Sequence, residues 1–232
     1  MAMSIAAAFD QESQSARHEP PAIVIGFLGG YVKRDNPVHA EVQIAARLRK
    51  TYATGVDVET YESRHVSEAH QKILDVLSGK QYGLPTEEEK RSARIVLYGH
   101  SWGAASAIEL ARQLQKDGIP VLLTVQVDSI AKFRENDTTI PTNVSEAANF
   151  YQPNGLLHGD HDIRAADTAH TKIIGNFRYD YARSPLKCSQ YPWWDRYIVK
   201  AHTQIECDPV VWDKVDALIR QALPLTPQSV EK

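Results

Sequence analysis

Residues 94–104 read R-I-V-L-Y-G-H-S-W-G-A, from Arg94 to Ala104. The apolar, β-branched run from Arg94 to Tyr98 predicts a strand buried on both faces. It breaks at Gly99-His100-Ser101-Trp102-Gly103, a G-x-S-x-G pattern, and a strong helix-forming stretch from Ala104 to Lys116 follows and stops at Gly118. The chemistry explains the spacing. A nucleophilic serine needs a tight turn that exposes its hydroxyl, and flanking glycines let strand and helix backbones approach without a Cβ clash. The turn also aims the free N–H groups of the next helix at a developing oxyanion. An ordinary small-residue turn between strand and helix would look similar, but neither G-x-G-x-x-G nor G-x-x-x-x-G-K-[ST] is present to suggest a nucleotide loop.

Working outward, strands and helices alternate. Ala22 to Leu28 is a continuous apolar run, and Val56 to Tyr61 alternates as a second strand. Between them Asn36-Pro37 offers a cap followed by proline, with Val38, Val42, Ala45, Leu48 and Tyr52 at helical spacing. Ser67 caps a predicted helix carrying Ile73, Leu74 and Leu77, and residues 80–92 read as a solvated polar loop around Glu87-Glu88-Glu89. Val121 to Val127 is a fourth strand. Short strands are expected at Ala147 to Gln152 and Thr171 to Phe177, and Asp208-Pro209 opens a last helix with Val211, Val215, Leu218 and Ala222 on one face. The pattern predicts an α/β fold with a mostly parallel central sheet and helices on both faces. Residues 1–21, polar and alanine-rich before Pro20-Pro21, read as a flexible lead-in to one domain over 22–232.

The segment around Ser101 resembles the nucleophile elbow of lipases, esterases and thioesterases in the α/β-hydrolase superfamily, and the resemblance extends through motif order across most of the chain after residue 21. It implies a serine hydrolase that cleaves a carboxylic ester or thioester through an acyl-enzyme on Ser101. One oxyanion donor would be the backbone N–H of Trp102. Gly26-Phe27-Leu28-Gly29-Gly30 is similar to the H-G-x-G-G stretch of many lipases, with Gly26 in place of the histidine. That match puts the second donor at Leu28, with Phe27 as the adjacent alternative. The superfamily order places the base on a late loop before the final helix, where His202 stands in K-A-H-T-Q-I. Asp128, at the end of the fourth strand, is the preferred acid, as in thioesterase-like members, with Asp160 and Asp162 as competitors. His100, next to the serine, reads as a packing residue. An acyltransferase with the same triad, or a catalytically silent binding protein on this fold, are the rival readings.

Composition excludes several classes. A formal net charge of −3 and scattered basic residues give no reason to expect nucleic acid as a partner, and no apolar run is long enough to span a bilayer. The start lacks a basic leader region, so the chain reads as soluble and cytoplasmic unless a secretory leader preceded Met1. Cys188 and Cys207 are spaced so that either a disulfide or two free thiols fits. His158-Gly159-Asp160-His161-Asp162, with Asp167 and His170 beyond, is rich in metal-ligating types. Its spacing matches no established motif, so no metal and no cofactor are expected. Tyr179, Tyr181, Tyr191, Trp193, Trp194 and Tyr197 could wall a substrate pocket or staple a long loop. No long apolar insertion resembles a lipase lid, which favours small soluble esters or thioesters as substrates.

Overall fold

In a computed structural model of the chain, residues 22–132 and 135–225 are described; the expected lead-in, 1–21, lies outside them. The elements run β1 (Ala22–Leu28), α1 (Ala40–Thr51), β2 (Val56–Glu62), α2 (Val66–Ser78), α3 (Glu87–Arg91), β3 (Arg94–His100), α4 (Trp102–Lys116), β4 (Val121–Val127), β5 (Thr139–Ile140), β6 (Val144–Tyr151), β7 (Arg164–Ala165), β8 (Lys172–Arg178), α5 (Trp193–Ile198), α6 (Lys200–Cys207) and α7 (Pro209–Ala222). The main sheet has the order β2-β1-β3-β4-β6-β8 and every pairing in it is parallel.

Strand periodicity sorts the core into two layers. On β1, Ile23, Ile25 and Phe27 face α2 and α4, whereas Ala22 and Val24 face α1 and α7. On β3 the same alternation sends Ile95 and Leu97 one way and Val96 and Tyr98 the other. Gly26 interrupts the β1 alternation for a packing reason. A Cβ there would fall 2.4 Å from Tyr98 Cζ, so glycine makes room for a fully buried tyrosine whose hydroxyl donates to the Glu41 carbonyl at 2.8 Å. Gly26 is therefore a strand residue under Tyr98 and not part of a loop.

Several local expectations shift. Helix α1 starts at Ala40, after Asn36 has spent its side chain on the Val38 N–H, so Asn36-Pro37 forms a turn ahead of the helix. Its buried face is Ala40, Glu41, Ile44, Ala45 and Leu48, rotated from the expected stripe and holding a carboxylate. Helix α2 begins at Val66 without a side-chain cap from Ser67. The Glu87-Glu88-Glu89 run is solvent-facing but helical, because Thr86 and Glu89 form a reciprocal capping box. Asp208 caps α7 through the Val210 N–H, as the Asp-Pro signature implies.

The chain moves from β1 to β2 in one direction, then crosses back over β1 and continues outward from β3 to β8. The reversal creates a switch point between β1 and β3. Loops leaving neighbouring strands there part to opposite faces and open a crevice at the carboxyl ends.

Candidate active site

Ser101 joins β3 to α4 with φ 56° and ψ −128°. A non-glycine residue held in this region costs on the order of 1–3 kcal/mol and persists only where its surroundings enforce it. The surroundings here do so. Ser101 donates its N–H to the Val127 carbonyl at 3.0 Å, and its own carbonyl accepts from Ala104 at 3.0 Å and Ile130 at 3.3 Å. Both glycines of the motif are sterically required. A Cβ on Gly99 would meet the Gly103 carbonyl carbon at 2.6 Å, and one on Gly103 would meet the Phe27 carbonyl oxygen at 2.2 Å.

Asp128 follows β4 with φ 44°, a left-handed conformation that aspartate tolerates better than most residues. Its side chain is fully buried and collects donors on both oxygens. Oδ2 accepts from His202 Nδ1 at 2.7 Å and Gln152 Nε2 at 2.9 Å. Oδ1 accepts from the Gly159 N–H at 2.7 Å and, more weakly, the Gln152 N–H at 3.4 Å. Burial by itself would raise this carboxyl, but His202, Gln152 and Gly159 outweigh it and hold it below the usual carboxylate range. The arrangement leaves His202 Nδ1 as a donor and frees Nε2 for chemistry. Asp160 and Asp162 are exposed and not bonded to His202. His202 itself lies on α6, a short helix, and not on the loop expected from the sequence.

Ser101, His202, Trp102, Gly29, Gly30 and Tyr31 line one cavity of about 270 Å³, together with apolar Val32, Ile130, Leu157 and Val199 and polar His39, His100, Asp195, Thr203 and Glu206. The glycine-rich turn after β1 lies directly over the serine: a Cβ on Gly29 would stand 3.0 Å from Ser101 Cβ. Leu28 is the last residue of β1, with its side chain buried in the core, immediately before that turn. The first N–H groups of α4, Trp102 included, have no carbonyl within the helix to bond.

A parallel sheet with its serine turn at the switch point after a central strand, a carboxylate on the next strand and a histidine from the chain's last quarter decides the architecture. It is a six-stranded parallel sheet covered by helices on both faces, with these groups at the carboxyl ends of its strands. No protein-family model matches the sequence, and no curated protein matches it significantly. Similar solved structures include a cutinase-like protein from Cryptococcus sp., at 10% identity over 89% of this chain and 96% of that one, with a TM-score of 0.49. A putative YdeN-like hydrolase from Pectobacterium atrosepticum is 14% identical over 88% and 94%, with a TM-score of 0.42. A thermostable esterase from Pseudomonas putida is 13% identical over 90% and 74%, with a TM-score of 0.43.

A buried polar layer that sequence reasoning missed borders the cavity. His100 is not simple packing. Its ring lies against that of His202 with centroids 4.4 Å apart, and its Nδ1 is 3.5 Å from Glu206 Oε2. Burial, opposed by Glu206, pushes the His100 imidazole down to about 4, so it stays neutral at ordinary pH. Glu206 also contacts His39 Nδ1, at the N-cap of α1. Despite its burial, His100 and His39 hold the Glu206 carboxyl low, whereas burial and the neighbouring Glu206 push Glu41 up.

Other expectations resolve as follows. Cys188 and Cys207 are joined as a disulfide with Cα atoms 5.9 Å apart, enclosing α5 and α6, the helix that carries His202. Trp193, Trp194 and Tyr197 are exposed and Tyr181 bonds Asp208, so none of these lines the cavity at Ser101. The one cluster of three metal-ligating atoms among the described residues, His39, Glu41 and Glu206, lies away from the His158–Asp162 segment in sequence. That segment's glycine serves Asp128 instead: a Cβ on Gly159 would collide with the Asp128 carbonyl carbon at 2.6 Å. No helix of the described residues is long and apolar enough to cross a membrane.

Proposed function

We propose that the chain is a serine hydrolase that cleaves small carboxylic esters or thioesters through an acyl-enzyme on Ser101. The observation that carries this reading is the buried Asp128–His202 pair, 2.7 Å apart, opening onto the same cavity as a serine held in a strained turn. His202 Nε2 takes the Ser101 proton as Oγ attacks the substrate carbonyl. Trp102 N–H and Leu28 N–H, the latter at the last residue of β1 before the glycine turn, receive the oxyanion. The imidazolium then protonates the departing alcohol or thiol, and a water activated by the same nitrogen clears the acyl group. Asp128 stays ionised and stabilises the imidazolium.

A cavity of about 270 Å³ is small beside the roughly 300–1,000 Å³ of drug-sized sites, and its apolar walls suit a short acyl chain. The test is labelling by a fluorophosphonate together with hydrolysis of p-nitrophenyl esters of rising chain length. Wild type should label and turn over acetate and butyrate best, and Ser101→Ala should do neither while melting like wild type. A folded wild type that neither labels nor hydrolyses any member would make the chain a binding protein on this fold.

A further inference from the structure

His39, Glu41 and Glu206 form a second constellation beside the triad, from α1 and its cap on one side and α6 on the other. One ligand-type atom from each lies within 4.8 Å of the other two, and all three residues are buried. Neither Glu41 carboxylate oxygen has a partner in good hydrogen-bonding geometry, although the side chain is completely buried; backbone N–H groups of Gly29 and of Glu41 itself favour its charged form but do not offset the burial. The Tyr191 hydroxyl, buried as well, stands beside Glu206 and interacts with its carboxylate. Glu206 has the His39 and His100 imidazoles beside it, but no lysine or arginine among the described residues pairs with either carboxylate. A lone buried carboxylate costs several kcal/mol unless it is protonated or balanced.

We infer that His39, Glu41 and Glu206 bind a divalent transition-metal ion of the Zn²⁺ class, which braces α1 against the helix that carries His202. One imidazole and two carboxylates balance a 2+ charge and suit Zn²⁺ better than Ca²⁺ or Mg²⁺, which favour all-oxygen sets. Tetrahedral Zn²⁺ needs ligand atoms about 3.4 Å apart, so the three side chains close by roughly 1 Å around the ion. The ion takes the place of the protons now shared within the cluster, which leave to solvent. His39 and Glu206 also border the cavity at Ser101, and that cavity gives the ion its way in. The role is structural: the ion touches neither Ser101 nor His202.

The full chain, stripped with a chelator, is titrated with ZnCl₂ by calorimetry and by thermal melting, and with CoCl₂ by visible absorption. Wild type and Ser101→Ala should each bind one equivalent with a raised Tm, and Co²⁺ should give the visible bands of a low-symmetry N/O site. Glu41→Gln and His39→Gln should each weaken uptake at least about tenfold, whereas His158→Ala/His161→Ala, on the exposed loop, should not. Absence of uptake at about a tenfold excess of metal overturns the site. So does wild-type affinity in Glu41→Gln, or loss of binding with the His158/His161 change. If Glu41→Gln fails to fold, His39→Gln and the Co²⁺ spectrum of wild type decide.

Discussion

Replacing Asp128 by asparagine changes shape hardly at all and hydrogen bonding completely. Four N–H donors, from His202, Gln152 twice and Gly159, converge on the two carboxylate oxygens. An amide offers one oxygen. Turned toward Gly159, it presents its NH₂ to His202 and the Gln152 side chain; turned the other way, it presents NH₂ to Gly159. The first orientation keeps the 2.7 Å bond to the Gly159 N–H and forces His202 to accept at Nδ1. That puts the proton on Nε2, where the base needs a lone pair. In Ser-His-Asp triads this tautomer error costs on the order of 10⁴ in kcat, and the same loss is expected for Asp128→Asn. Hydrogen bonds to a buried charge are worth about 1.5–3 kcal/mol each, so two lost partners cost about 3–5 kcal/mol after relaxation. For a chain of this size that lowers Tm by on the order of 10 °C. Because the native carboxyl is held low, its stabilisation is complete above the unfolded value of about 3.9 and is lost as pH falls through the native one. The Tm gap between wild type and variant therefore narrows on acidification below about pH 4. The assay is p-nitrophenyl butyrate hydrolysis, with Asp160→Asn and Asp162→Asn as exposed controls. A folded Asp128→Asn retaining more than about a tenth of wild-type kcat/KM would refute the reasoning.

Gly159→Ala should act through Asp128 without touching the cavity. The added Cβ must displace backbone at 2.6 Å, so the loop retreats, the N–H bond to Oδ1 breaks and kcat falls about 10–100-fold; unchanged turnover in melted-then-matched folded samples would contradict it. Cys188→Ser opens a closure between positions 19 residues apart, worth about 3 kcal/mol on the chain-entropy account. Reduction of wild type and the serine variant should lower Tm alike, measured by scanning fluorimetry, and a variant as stable as oxidised wild type would count against it.

The legible parts of the chain are those where a local pattern and its consequence coincide. Ser101 announces itself because both flanking glycines are demanded by contacts with Gly103 and Phe27, within or next to the motif's own elements. β1, β3 and β4 read as buried strands because parallel strands covered on both faces are apolar throughout. Asp128 and His202 were placed by order along the chain, and only the fold brings residues 74 positions apart to 2.7 Å. Gly159 was invisible as a donor to Asp128, since a loop glycine carries no sign of its acceptor. Glu41 did leave a trace: it sits one turn before Ile44 and Ala45 on the buried face of α1, where a carboxylate is costly. The helical stripe drawn through Val38 and Val42 met that face only at Ala45 and Leu48 and left Glu41 out.

β1, β3 and β4, adjacent in the sheet, bring the glycine turn, Ser101 and Asp128, the proposed oxyanion loop, nucleophile and acid, whereas His202, the proposed base, arrives on α6 from outside the sheet. Competence is thus a long-range contact laid over a framework that can form without it. During refolding the sheet's circular-dichroism signal should return before reactivity toward a fluorophosphonate does, because the docking of residues 193–207 must wait for a surface to dock on. On the proposed function, turnover then serves as a clock for the final folding step.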